Sequence, residues 1–306
     1  MSRGRLLTAA RWLFVLLTLA GAWWGLRGRW ADVADGLGQT GPSRLLAAAG
    51  LTAAGVATTG VVWRLLLRWI GSDVGPRDAA AVFFVGQLGK YVPGSVWSIA
   101  VQAQLGRRHG VPTRSSVTAS SVFLLAHTAT GLLLGGLLAL AGALPGPSYG
   151  LAALAVAAGA VALAPPVLRR LADRLAGRGT RFGVRELGTT CVLMAVVWVG
   201  YGAALLLLVP GSSAPPPLGT AVAAFALAHA AGVLVVFAPA GVGAREGVLV
   251  ALLAPLVGLP GAAAVALLSR VTHAVADFAV AGLAAWWARP RRAVLGAREP
   301  ARAGGR

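Results

Sequence analysis

Gly89-Lys90-Tyr91-Val92-Pro93-Gly94-Ser95 and Pro239-Ala240-Gly241-Val242-Gly243-Ala244-Arg245-Glu246 interrupt two apolar stretches in the same way, each setting helix breakers beside charge. Freed backbone groups and charges persist at membrane depth only where protein or a water-filled cavity satisfies them, so each break marks a polar site. Broken apolar segments at corresponding positions of two halves are also the pattern of a transporter built from inverted repeats.

Composition sets the class. With 57% hydrophobic and 12% charged residues, and several runs long enough to cross a bilayer at about 20 residues each, the chain reads as an all-α polytopic membrane protein. The net charge of +18 is not a nucleic-acid footprint, because the arginines cluster in short loops beside apolar runs and in the C-terminal tail. Lys90 is the only lysine, which sets it apart from the arginine background. The single cysteine, Cys191, lies in an apolar run, allows no internal disulfide and reads as a packing residue.

Hydropathy predicts about six spans, at 6–26, 45–70, 117–143, 148–168, 189–209 and 262–287, with two interrupted segments at 79–105 and 219–259. The first span has no small-residue cleavage site before Trp23-Trp24-Gly25 and is expected as a retained helix. Arg107, Arg108 and Arg114, the six arginines between 169 and 185, and Arg289, Arg291 and Arg292 belong on the cytoplasmic side. The uncharged loops at 144–147 and 210–218 belong outside. Both termini are then cytoplasmic, in a multi-pass protein of the cell membrane. Segment 79–105 must enter and leave from inside, as a hairpin, and 219–259 must enter and leave from outside, as either a hairpin or two full spans. One membrane domain of 1–290, with repeats of about 45–143 and 189–287 in opposite orientation, precedes a basic, flexible cytoplasmic tail at 291–306.

Gly86-Gln87-Leu88-Gly89-Lys90-Tyr91-Val92-Pro93-Gly94-Ser95-Val96, followed by Arg107-Arg108-His109-Gly110, resembles the first signature of the flippase-like family of the lysylphosphatidylglycerol synthase transmembrane region. Ala240-Gly241-Val242-Gly243-Ala244-Arg245-Glu246-Gly247 is similar to its second signature. The resemblance covers roughly 45–290 and implies handling of a lipid or lipid-linked substrate. In two-part members of that family the membrane region translocates an aminoacylated lipid made by an attached soluble domain. Only a short tail follows Trp287, so aminoacyl transfer is not expected of this chain.

Individual residues point to anion binding. Lys90 ends the apolar half-helix 79–91, where an ammonium suits the helix C-terminus and attracts a phosphate or carboxylate; the alternative is snorkelling to headgroups. Gln87 and Ser95 are its natural neighbours, Pro93 and Gly94 mark the hairpin tip, and Ser95 alternatively caps the next helix. Gly241 and Gly243 permit close backbone approach before Arg245, whose planar fork suits a phosphate, and Glu246, which suits the start of a helix over 246–259. An Arg245–Glu246 ion pair without a substrate role is the competing reading.

Arg270, His273 and Asp277 share one helix face, and burying Arg and Asp costs on the order of 2.5–3.5 kcal/mol each on insertion scales, so the face should turn to the bundle or a cavity. A structural Arg270–Asp277 bridge and a proton-coupling His273–Asp277 pair are both open. His127 and His229 read as packed, lone residues, and Gly131, Gly135 and Gly136 as sites of close helix approach. No catalytic set, metal-ligand motif or cofactor loop is legible, so no catalytic residue, metal or cofactor is expected.

The expected function is transport of a lipid or lipid-linked intermediate, a flippase that recognises a phosphate-bearing headgroup at a midplane site between the two breaks. Its partners would be membrane lipids, anionic or polyprenyl-phosphate-linked, and a membrane enzyme, with no nucleic acid. The main alternative is a non-catalytic auxiliary or scaffold subunit of a membrane glycosyltransferase or lipid-modifying enzyme. An integral-membrane enzyme ranks third.

Overall fold

The structure is a computed structural model and describes residues 30–91, 97–146, 149–177, 179–211, 213–235 and 239–289. The expected span 6–26 and the tail 291–306 lie outside the described residues. Among those described, the fold is all-α, with ten α-helices and no strand. Four helices are long and apolar enough to cross a membrane, five if one bent pair counts as a span. Large apolar side chains such as Leu46, Val61, Val192, Val275 and Leu283 are exposed on the outer surface, where hydrocarbon rather than water suits them. A further helix, α1 (Trp30–Gly38), lies in the stretch between the expected spans 6–26 and 45–70.

The antiparallel pair α2 (Pro42–Trp69) and α8 (Val184–Leu207) forms the spine of the bundle. Arg44, near the start of α2, donates to the carbonyls of Leu206 (3.3 Å) and Val209 (2.9 Å), matching a cation to the C-terminal end of α8. At the other end the Arg181 N–H donates to the Trp69 carbonyl at 3.0 Å. Small residues bring the helices close: Gly55 faces the Tyr201 ring, and a Cβ on Gly131 would stand 2.8 Å from the Trp198 ring. Buried indoles keep partners, Trp63 Nε1 on Ser120 Oγ (3.0 Å) and Trp198 Nε1 on Thr130 Oγ1 (3.1 Å).

Helix α5 (Thr113–Leu140) packs on this pair. The span expected at 148–168 is not straight. It is α6 (Tyr149–Leu163) followed, after a bend of 51°, by α7 (Pro165–Ala176), because Pro165 and Pro166 lack the N–H groups that would continue the helix. In α7, Leu168 and Ala172 are buried, while Arg169 Nε donates to the Phe182 carbonyl at 3.2 Å and Asp173 accepts from Thr180.

Both interrupted segments turn back on themselves. In the first, α3 (Pro76–Ala80) widens into a π turn at Ala81–Val85, tightens into a 3-10 turn at Leu88–Tyr91, and the chain returns as α4 (Trp97–Arg108). The ends meet where the Asp78 carboxylate pairs with His109 at 3.0 Å. Glycine lets the arms touch, since a Cβ on Gly89 would stand 2.8 Å from the Ser98 nitrogen.

In the second, α9 (Leu218–Leu234) enters, the chain reverses, and the first limb of α10 (Ala244–Trp287), residues 244–257, goes back. At Gly258 (φ 74, ψ 159), a conformation open essentially to glycine alone, the helix folds over and limb 259–287 crosses the bundle. Arg270 therefore meets Glu246 at 3.0 Å, although 24 residues of straight helix would separate them by about 36 Å. The 17-residue first arm of segment 219–259 is about 25 Å long and its return limb is shorter. Thr220 Oγ1 donates to the Ala143 carbonyl at 2.6 Å and Gly261 lies beside Ser213, so both mouths of this hairpin sit at the end opposite the arginine-rich loops. The two hairpins enter the bundle from opposite ends.

Candidate functional site

The 3-10 turn at Leu88–Tyr91 and the turn at Pro239–Gly241 touch inside the bundle, and limb 259–287 holds both. Asp277 Oδ2 pairs with Lys90 Nζ at 2.6 Å and accepts from the Tyr91 hydroxyl at 2.7 Å. Arg270 Nη1 donates to the Ala240 carbonyl and to Glu246 Oε1, each at 3.0 Å. Glu246 Oε2 in turn accepts from the Gly243 N–H at 2.7 Å, filling an N-terminal vacancy of α10. Glycine is required at the second tip: Gly241 has φ +70, and a Cβ there would stand 2.7 Å from the Gly232 Cα. Ala240 itself is held at φ 47, a left-handed conformation that costs a non-glycine residue roughly 1–2 kcal/mol.

Beside the tips lies a cavity of about 240 Å³. Gln87, Lys90, Gly241, Arg245, Arg270, His273 and Asp277 all line it. Gly243 and Glu246 stand behind it, as supports of Arg270. Pro93, Gly94 and Ser95 lie outside the described residues.

The ion pairing differs from both readings of the sequence. Asp277 takes Lys90 rather than Arg270, and Glu246 takes Arg270 rather than Arg245. The physical reason is the fold-back at Gly258, which carries residue 246 to residue 270, while the first hairpin delivers Lys90 to Asp277. Arg245 is left as the one cavity cation with no carboxylate within 4 Å among the described residues. Only 8% exposed, it donates to Ser269 Oγ at 3.2 Å and lies over the Phe225 ring at 4.7 Å. Five N–H donors with one neutral oxygen and a ring face leave capacity for an anion.

The His273 Nδ1 meets the Ser269 carbonyl at 2.9 Å, and since a carbonyl only accepts, Nδ1 carries the hydrogen. Its ring stacks on Phe225 (5.0 Å) and meets Tyr201 (4.9 Å), and its Nε2 is buried without a partner among the described residues. No ion pair joins it to Asp277 among those residues.

His127 and His229 are packed, as expected, but they are not lone. They meet at 4.9 Å, His127 stacks on Trp198 at 4.5 Å, and both line the cavity with Tyr201. Three of the chain's four histidines thus converge on one space. The available signal was their position in apolar runs, since ionisable residues at membrane depth turn inward. Tyr91, the second ligand of Asp277, carried no signal beyond its place beside Lys90.

These features define an α-helical, multi-pass membrane protein with a polar cavity where two broken segments meet. The chain belongs to the family described as the lysylphosphatidylglycerol synthase TM region, whose model matches residues 11–281. No curated protein matches the chain. The matched region is the transmembrane part of that family.

Proposed function

We propose that this protein moves a lipid or lipid-linked intermediate across the membrane, with a phosphate-bearing headgroup in the central cavity and the apolar chains in the bilayer. The observation that carries this reading is Arg245, a nearly buried guanidinium facing the cavity with no carboxylate within 4 Å among the described residues. A buried charge is retained at such cost where something binds it. Lys90 and Arg270 add positive potential, but each is already balanced by an acid. The family match supports a lipid substrate.

The two hairpins, entering from opposite ends around one cavity, support reading 45–143 and 189–287 as inverted repeats that rock against each other about the site. The arginine-rich end, with Arg107, Arg108, Arg114 and Arg185, faces the cytoplasm on this reading, and both hairpins are re-entrant. In a Cys191→Ala background, single cysteines at Asp78 and Arg107 should label from the cytoplasmic side and those at Leu218 and Pro260 from the outside. Labelling of Asp78 and Arg107 from opposite sides would overturn the first hairpin.

Reconstitution in vesicles tests the function. Arg245→Gln should slow translocation of a fluorescent anionic phospholipid by about 10- to 100-fold, the equivalent of losing a charge-assisted hydrogen bond of roughly 1.5–3 kcal/mol. Folding should survive, because no carboxylate is stranded. Wild-type rates in Arg245→Gln would remove the anion site. The scaffold reading has its own support, since the Lys90–Asp277 and Arg270–Glu246 pairs hold the fold. It predicts that the purified protein moves no lipid under any gradient.

A further inference from the structure

The charges and walls of the cavity also bear on which headgroup fits, given the transport reading above. Both carboxylates within reach already have a cationic partner: Asp277 pairs with Lys90 and accepts from Tyr91, and Glu246 pairs with Arg270 and accepts from the Gly243 N–H. An ammonium entering the cavity finds no carboxylate without a cationic partner among the described residues and meets Arg245, which has no carboxylate within 4 Å there. The two rings nearest the charges already carry a cation, Arg245 over Phe225 at 4.7 Å and Lys90 over Tyr91 at 5.5 Å. Like charges brought together in such a site cost several kcal/mol. The rest of the wall is uncharged: apolar and ring side chains such as Val56, Phe83, Phe84 and Phe123, among which Thr59, Gln87, Ser98, His127, Tyr201 and His229 place hydrogen-bonding groups. Amide and hydroxyl groups that both donate and accept, interleaved with ring faces, match hydroxyl groups and the C–H faces between them.

We infer that the cavity selects a headgroup with one net negative charge, a phosphate diester joined to an uncharged polyol or sugar, and rejects the same headgroup once it carries an amino-acid ester. The family name points to an aminoacylated lipid; the charge balance of this chain points away from it.

The test uses the full chain in phosphatidylcholine vesicles doped with a trace of fluorescent phosphatidylglycerol or of its lysyl ester. Phosphatidylglycerol should cross faster by about tenfold or more, and Arg245→Gln should collapse that ratio toward one. Equal rates, or a faster lysyl ester, would overturn the selectivity while leaving lipid transport standing. If neither lipid moves, the transport reading fails, and binding decides the selectivity by itself. Thermal stabilisation of the purified protein by glycerophosphoglycerol, with none by its lysyl ester, supports the inference; equal stabilisation by both overturns it. Inorganic phosphate acting as well as glycerophosphoglycerol would make free phosphate the ligand and overturn the polyol assignment.

Discussion

Asp277→Asn is expected to release the first hairpin tip and to cut lipid movement by at least about tenfold, the effect of losing one charged contact at the site. The side chain is only 6% exposed and binds both Lys90 and the Tyr91 hydroxyl, so its charge is what fastens residues 88–91 to limb 259–287. Asparagine keeps the shape but presents a weaker acceptor and strands the ammonium. A fully buried broken pair costs about 3–5 kcal/mol; here the Lys90 side chain is 37% exposed, and water softens the loss to on the order of 1–3 kcal/mol. Lys90→Met with Asp277→Leu removes both charges and should recover most of that stability, because contacting residues are not additive. Melting curves and vesicle transport then separate the roles. A double variant that is stable but inactive makes the pair part of the transport cycle, whereas one that transports normally makes it structural. The carboxylate is also the candidate for proton coupling. Asp277→Asn should then suppress gradient-driven movement and flatten its pH dependence; uncoupled scrambling that survives the change would remove the coupling role and keep the lipid path.

The breaks and the gathering of arginines at one end of the bundle were legible because both rest on local chemistry. Pro239, Gly241 and Gly243 interrupt the helical pattern at the second break, where both glycines take positive φ, and arginines in short loops mark one end of the bundle. The pairing of charges was not legible, because it depends on tertiary path. Gly258 sits at the boundary that hydropathy set between 219–259 and 262–287, with Pro260 and Gly261 beside it, but a local break carries no direction, and only the backbone conformation there folds α10 over and brings Glu246 to Arg270. Spacing along one helix face put Arg270, His273 and Asp277 together correctly, but it carried no information about what two separate hairpins would deliver to that face. Lys90 and Ala240 arrive from residues roughly 150 apart, and only the packed bundle sets which charged side chain of that face each tip meets.

Arg270→Gln is expected to have the second large effect, and it discriminates between positioning and charge. Its guanidinium does two things at the second tip: it binds the Ala240 carbonyl, which holds residue 240 at φ 47, and it neutralises Glu246, which caps the start of α10 through the Gly243 N–H. Without it, a carbonyl and a carboxylate lose their partner, and the left-handed alanine loses the contact that offsets its roughly 1–2 kcal/mol of strain. The tip should relax, and Arg245, packed 3.1 Å from where a Gly232 Cβ would sit, should move with it. Ala240→Gly separates the two contributions. Glycine adopts the left-handed conformation without that strain, so Ala240→Gly alone should raise the melting temperature, and in the Arg270→Gln background it should restore part of the lost stability. If transport returns along with stability, Arg270 acts by holding the turn. If the double variant is stable but translocates at less than about a tenth of the wild-type rate, the positive charge itself serves the headgroup, and Arg270→Lys, which keeps charge while losing the planar fork, should then recover more transport than Arg270→Gln with Ala240→Gly.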